Sequence, residues 1–322
     1  MGILYVLAAV LLWSVIPLLI KQIVPPFDPR WAAMLRLVLG TGFLAVVERL
    51  IATRSPASVR PRWRRRELAL LVVAGAGIGG DYLLYTAGIA RTTASAGNLI
   101  VQIEIIALSI WGLLVLKESV SAVKLGGMAL CFSGVFLVGW NGQSLSALAQ
   151  SQYFAGNLLV FGGGLCWSIY ALTQKMLLDT RGAGETVVPI MAIGAVMAGA
   201  VAVFWPPATR APTGLQWGYL IGLGCFCTGL SYLLMVRGLQ RLEASHLALL
   251  ATLNPIFTMT EAHFLLGEKL TGFLIAGAAL VVSGVVLMAG LAREAPGART
   301  EPSVAALRNE SAVANRSDKP VG

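Results

Sequence analysis

Charge is scarce in this chain. Only 12% of its 322 residues are Asp, Glu, Lys or Arg, against about 25% in ordinary domains. That shortage excludes a soluble domain of this length. Hydrophobic residues fill the gap at 57%, and mean hydropathy is +0.78. Histidine is nearly missing: His246 and His263 lie near opposite ends of one apolar run. An intramembrane enzyme would need a metal set or a nucleophile and base at a shared depth, and these two do not supply it. No cofactor and no bound metal are expected. The four cysteines, Cys131, Cys166, Cys225 and Cys227, fall inside apolar runs without disulfide or metal-ligand context. They read as small buried packing residues. There is no G-x-x-x-x-G-K phosphate loop, so this chain alone is no ATP-driven pump. No positive n-region precedes the first apolar run, which reads as a span that stays.

What is present is a series of uncharged runs, each near the roughly 20 residues that carry a helix across a bilayer. Breakers and charges divide them into ten expected spans: 2–23, 31–51, 67–89, 94–116, 121–140, 154–176, 185–205, 215–238, 244–266 and 270–291. They are numbered span 1 to span 10 below. The fold class is therefore an all-α integral membrane bundle whose solvent is lipid. The net charge of +9 is concentrated in RPRWRRR, Arg60 to Arg66, in a short loop. Such a cluster sets orientation rather than binding nucleic acid. With the amino terminus inside, the cytoplasmic face receives that block together with Arg54, Lys117, Lys124, Lys175, Arg181, Arg237 and Arg241. The other face receives only Lys21, Arg30, Arg91, Arg210 and Lys269. Both termini are expected in the cytoplasm, and a tail over 292–322, rich in Ala, Ser, Pro and charge, is expected to be disordered.

Self-comparison divides the chain further. A shift of 150 residues lays YLLYTAGIARTTAS, from Tyr82, over YLLMVRGLQRLEAS, from Tyr232. LKESV at Leu116 then meets LGEKL at Leu266, and SGV at Ser133 meets SGV at Ser283. Near the start of each half the shift is 154, which pairs Trp13 and Ser14 with Trp167 and Ser168. Two five-span repeats follow, 2–140 and 154–291, joined by a polar linker over 141–153. Five is odd, so the second repeat enters the membrane inverted, the architecture of secondary transporters that rock about a central site. In-span glycines such as GAGIGG at Gly75 and GGG at Gly162 suit helices that approach closely.

These residues resemble the drug/metabolite transporter superfamily, in its ten-helix form with two EamA-type repeats. The likeness rests on LLWS at Leu11, AAMLRLVLG around Arg36, the Tyr82 block, KES ending span 4, CWSIYALTQK at Cys166, the Tyr232 block, LNP at Leu253 and LGEKL. It covers about residues 2 to 291. The resemblance implies a multi-pass secondary transporter of a small metabolite, often an amino acid or related compound and often an exporter. It implies a cell-membrane location, which is the inner membrane in a Gram-negative cell. Expected partners are the substrate and the lipid bilayer, with the chain a monomer, and a proton as coupling ion is one reading of the buried carboxylates described below. A gradient-independent exchanger stands as the alternative, followed by a channel, a receptor or an intramembrane enzyme. Two departures mark the repeats: Pro255 faces Ile105, and Arg36 faces Ile190.

An ionisable residue at mid-span costs at least about 2.5 to 3.5 kcal/mol on insertion scales and is by default a functional candidate. Arg36, Asp81, Glu104 and Glu261 qualify. Depth counting puts the first three within about 8 to 15 Å of the outer surface. There Arg36 would neutralise one carboxylate, and a proton, a sodium ion or a cationic amine would meet the other. At 100° per residue Glu104 and Gln102 face different ways, while Asn98, Gln102 and Ser109 share a stripe. Either face could line the cavity, with Glu104 favoured toward span 3 or the cavity edge. In span 9, Pro255 frees the carbonyl of Ala251, so Thr252 and Asn254 become ligand candidates beside it. Ser231, aligned with Asp81, is a further one. Mid-span Trp13, Trp167, Tyr82, Tyr232, Tyr85 and Tyr170 could shape an apolar site, although core packing explains each alone. Glu118 and Glu268, at span ends beside lysines, suit capping or pairing.

Overall fold

The computed structural model describes residues 2–24, 27–52, 62–117, 121–205, 211–239, 241–242 and 250–291, and every regular element among them is a helix. Spans 2, 3, 5, 6, 7 and 10 are single helices, Pro29–Ala52, Arg65–Ile89, Ala122–Trp140, Phe154–Leu178, Ala183–Phe204 and Gly272–Leu291. Nine helices among the described residues are long and apolar enough to cross a membrane. The described part of span 9 is shorter, Leu253–Leu266 preceded by Leu250 and Ala251. His246, Glu118 and the tail 292–322 lie outside the described residues. The linker after span 5 carries one short helix, Leu145–Gln150. Large apolar side chains such as Val196, Phe204 and Phe264, 73%, 82% and 78% exposed, face outward, as hydrocarbon requires. Of the cysteines, Cys131 and Cys227 are buried as expected, but Cys166 and Cys225 are only half-buried.

Three spans are interrupted. Span 1 turns at Val15, between Gly2–Ser14 and Ile16–Ile23, where Pro17 withholds an N–H from the helix. Span 4 breaks at Val101 and Gln102, between Ala94–Ile100 and Ile103–Val115. Span 9 turns at Thr252, which is 150 residues beyond Gln102. The two repeats therefore break at the same place although only one has a proline there. In span 4 the ladder tightens instead to i→i+3 bonds, with the Glu104 and Ile105 amides donating to the carbonyls of Val101 and Gln102 at 3.0 and 3.1 Å. Span 8 is irregular differently: between Gly214–Ile221 and Ser231–Leu239 it runs as a wide π-helix, Gly222–Leu230.

Spans 5 and 10 show how the repeats are related. A Cβ at Gly134 would stand 2.6 Å from the Gly277 carbonyl oxygen, and one at Gly284 would stand 2.5 Å from that of Gly127. Gly127 and Gly277 are 150 residues apart, as are Gly134 and Gly284. Each glycine thus packs on the counterpart of the other, the signature of a two-fold axis. Rising numbers in span 5 meet falling numbers in span 10, so the pair is antiparallel and the repeats are inverted. The axis passes beside Cys131, whose thiol donates to the carbonyl of Val281 at 3.4 Å, its own counterpart 150 residues on.

Candidate functional site

Arg36 enters the bundle from span 2 and is 5% exposed. Its Nε donates to the Thr228 hydroxyl at 3.0 Å, and its guanidinium lies 4.1 Å over the Tyr82 ring. Thr228 donates onward to the Leu223 carbonyl at 3.0 Å, a five-residue step within the π-helix. The wide turn therefore aims a hydroxyl at the arginine, and the negative face of the tyrosine ring supplies the rest of its environment. This corrects the expected ion pair: no ion pair among the described residues includes Arg36. A π-turn leaves no mark in hydrophobic periodicity, so Thr228 could not be foreseen as its partner.

The carboxylates stand nearby. Asp81 in span 3 is buried and Glu104, at the start of the second segment of span 4, is half-buried. Neither side-chain carboxylate makes a hydrogen bond with another described residue. The charge of Asp81 acts on Glu104 and that of Arg36 acts on Asp81, so the three share one electrostatic site with no ion pair among them. Span 6 wedges between them through its GGG motif. A Cβ at Gly163 would meet Asp81 Oδ1 and the Tyr85 amide, both at 3.2 Å, and one at Gly164 would meet the Val101 carbonyl at 2.8 Å. Glycine at these two positions is what lets the backbone of span 6 run beside both the carboxylate and the break.

Aromatic rings gather on the same region. Tyr82, Tyr170, Trp167 and Tyr232 belong to one apolar cluster. Trp13 meets Tyr232 edge to face at 6.4 Å, and Trp167 meets Tyr170 likewise at 6.0 Å. Trp13 Nε1 donates to Ser231 at 2.8 Å, and the Ser231 hydroxyl donates to the Cys227 carbonyl at 2.7 Å. Tyr85 separates from the set and packs in another cluster with Ile103 and Val160.

The other polar stripe faces span 9. The Asn98 amide donates to Asn254 Oδ1 at 2.6 Å and to the Thr258 hydroxyl, and Thr258 donates to the Ser14 carbonyl at 3.0 Å. Asn254, expected to be open to a ligand, is thus engaged by Asn98. Thr252 is buried. The stripe expected through Gln102 and Ser109 does not continue, because the break resets the helical phase: Gln102 is half-exposed in the turn, and Ser109 donates back to the Ile105 carbonyl at 2.9 Å.

Ser14 and Ser168 occupy equivalent joints. Each bonds the carbonyl three residues earlier in its own helix, Leu11 at 2.9 Å and Leu165 at 2.7 Å. Ser168 also accepts from Trp111 Nε1 at 3.1 Å, and Ser14 donates to Glu261 Oε1 at 2.8 Å. Trp111 and Glu261 are 150 residues apart, so one joint is built twice with different chemistry. Sequence comparison contains this correspondence, but nothing in either helix marks the contact.

Both ends of the bundle are tied across the repeats. Glu268 accepts from the amides of Ala94 and Ser95 at 2.6 and 3.0 Å and from the Ser95 hydroxyl at 2.7 Å, so the expected cap forms on the amino terminus of span 4. Beside it Lys21 donates to the Thr92 carbonyl, Thr92 donates to Asn157 at 2.5 Å, and His263 Nδ1 lies 2.8 Å from the Glu268 carbonyl. At the opposite end Arg181 donates to both oxygens of Glu67, at 3.2 and 2.9 Å, and to the Arg62 carbonyl at 2.9 Å. No group of three or more His, Cys, Asp or Glu among the described residues is placed to hold a metal ion.

Inverted repeats meeting on a dyad, with broken spans and polar groups at mid-membrane, define a membrane transport protein. The chain belongs to the EamA-like transporter family, whose pattern it matches twice, over residues 1–140 and 154–290. It is 27% identical over 281 residues to the uncharacterized transporter YyaM of Bacillus subtilis, covering 85% of this chain and 89% of that one. It is 24% identical over 271 residues to the uncharacterized inner membrane transporter YhbE of Escherichia coli, covering 80% and 79%. A solved crystal structure superposes with a TM-score of 0.65 at 18% identity, over 91% of this chain and 98% of the other, a likeness of fold.

Proposed function

We propose that the protein is a secondary active exporter of a small metabolite, an amino acid or related compound, that works by alternating access and is driven by protons through Asp81 and Glu104. The observation that carries this reading is the pair itself: two carboxylates within electrostatic reach of each other inside the membrane, with no hydrogen bond and no ion pair among the described residues. An isolated charge is costly there, and a group without a fixed partner is free to exchange a proton as its surroundings change. Arg36, held on Thr228 and Tyr82, would orient the anionic end of a zwitterion, while Trp167, Tyr170 and Tyr232 receive its apolar part. The positive-inside count supports cytoplasmic termini in a cell membrane.

The test is a metabolite-by-metabolite uptake and counterflow screen in proteoliposomes, with and without a pH gradient. For the responding substrate, Glu104→Gln is expected to lower gradient-driven transport at least about a hundredfold, the lower end for removing a proton-transferring group, while counterflow persists. Unchanged rate and pH dependence in Glu104→Gln and in Asp81→Asn would remove both from the coupling role, and gradient-independent transport by the wild type would leave simple exchange.

A further inference from the structure

Glu261 is an intramembrane carboxylate that the reading above leaves unused. It lies five residues before the end of span 9, about 8 Å along the helix. The residue is half-buried, yet its two oxygens differ: Oε1 accepts from Ser14, while Oε2 is buried with no hydrogen-bond partner. Through Ser14 it stands at the end of a polar line that runs from Asn254 to Asn98, Thr258 and the Ser14 carbonyl. That line touches the interrupted spans 9, 4 and 1 in turn.

The repeat supplies an internal control for what the joint needs. At the equivalent position Trp111 holds Ser168 with an uncharged indole N–H. A hydrogen bond is thus all the scaffold demands, and the carboxylate at Glu261 answers some other requirement. Its neighbours do not neutralise it. Span 1 offers Ser14, and its Lys21 is spent on the Thr92 carbonyl. Span 8 offers the Cys227 thiol, within electrostatic reach of both Glu261 and Arg36. On span 9 itself His263 bonds the Glu268 carbonyl, and span 4 contributes the neutral Asn98. No ion pair among the described residues includes Glu261. An anionic oxygen buried with no hydrogen-bond partner among the described residues is poorly solvated, and a proton fits there without moving a helix.

We propose that Glu261 is a second proton-carrying site, in the second repeat, loaded in this conformation and emptied when spans 1 and 9 part at the Ser14 joint. Loading adds a proton to a carboxylate lone pair, and unloading returns it to water admitted at the opened joint. Ser14 is the positioning residue. Only the use of this proton in transport rests on the proton-driven reading; the protonation is a property of the substrate-free protein.

The experiment is difference infrared spectroscopy of the substrate-free full chain in liposomes as bulk pH is stepped, following the C=O stretch of protonated carboxyl groups. One component is expected to vanish in Glu261→Gln, to shift in Ser14→Ala through loss of the hydroxyl donor, and to survive in Asp81→Asn and Glu104→Gln. A Glu261→Gln spectrum that matches wild type at every pH overturns the proposal. Should that variant fail to fold, an unshifted set of bands in Ser14→Ala overturns it equally. Loss of the Glu261 component together with gradient-independent transport would keep the proton site and sink the proton-driven reading. The reverse pattern would do the opposite.

Discussion

At the scale of single residues, polarity inside apolar runs was readable and partnership was not. Asp81, Glu104 and Arg36 stand out by composition alone, and the structure brings them into one electrostatic site. The expected Arg36 ion pair fails because Thr228 and the Tyr82 ring take the guanidinium, and their placement depends on the π-turn. A residue outside the hydrocarbon gives a cleaner test of local reasoning. Asp28 precedes Pro29 and caps span 2: its Oδ1 accepts from the Arg30 amide at 2.8 Å, and its Oδ2 meets the Arg30 guanidinium at 2.6 Å. That hydrogen bond holds the Asp28 carboxyl below its usual range. A depressed carboxyl stabilises the fold above the unfolded value of about 3.9, and the contribution is lost as pH falls through the folded value. Asp28→Ala should therefore cost about 0.5–2 kcal/mol at neutral pH, and less at an acid pH below the folded value of its carboxyl. Thermal unfolding in detergent at the two pH values measures the difference, and a cost that does not shrink in acid would assign the loss to packing instead of charge.

At the scale of elements, nine of the ten expected runs fall where hydrophobicity and breakers place them, within a few residues at each end, and the described part of span 9 ends at Leu266 as expected. Their interiors were less legible. The turn at Thr252 has a proline to announce it, whereas the equivalent turn at Gln102 has none, so counting at 100° per residue carried the Asn98 stripe through a break that ends it. Glycine content was plain, but which glycines bear contacts depends on the facing helix. Gly126 and Gly127 are neighbours in span 5 with opposite surroundings. A Cβ at Gly127 would stand 2.6 Å from Met288 Cγ and 2.8 Å from the Gly284 carbonyl oxygen, while at Gly126 the nearest atom is Leu287 Cδ2 at 3.9 Å. Gly127→Ala should destabilise by about 1–3 kcal/mol through overpacking against backbone. Gly126→Ala should stabilise by about 0.5–1 kcal/mol through helix propensity. Scanning fluorimetry of the two purified variants decides, and equal shifts would mean that spans 5 and 10 do not pack this closely in the membrane.

At the scale of the molecule, the inverted repeat was legible because a 150-residue shift survives in the sequence, and spans 5 and 10 show its axis directly. That axis makes a mechanical claim testable. If the two end states exchange the conformations of the repeats, contacts on the axis recur in both states, whereas a contact far from it belongs to one. Cys131 against Val281 lies on the axis. Ser95 against Glu268 lies at one end, where a carboxylate of the second repeat caps a helix of the first. Two cross-linking experiments separate the cases, one joining the native Cys131 to Val281→Cys and the other joining Ser95→Cys to Glu268→Cys, with Cys166, Cys225 and Cys227 replaced in both and Cys131 also replaced in the second. A short, reducible, membrane-permeant bis-thiosulfonate reagent, which joins two thiols as mixed disulfides with sulfinate leaving, should leave counterflow of the screened substrate intact in the first and abolish it in the second, with recovery on reduction. Full cross-linking of the 95–268 pair without loss of counterflow would show that this end stays closed through the cycle, and loss in the 131–281 pair would place movement on the axis itself. The expected contrast follows from symmetry alone, so it tests the alternating mechanism without reference to which carboxylate carries the proton.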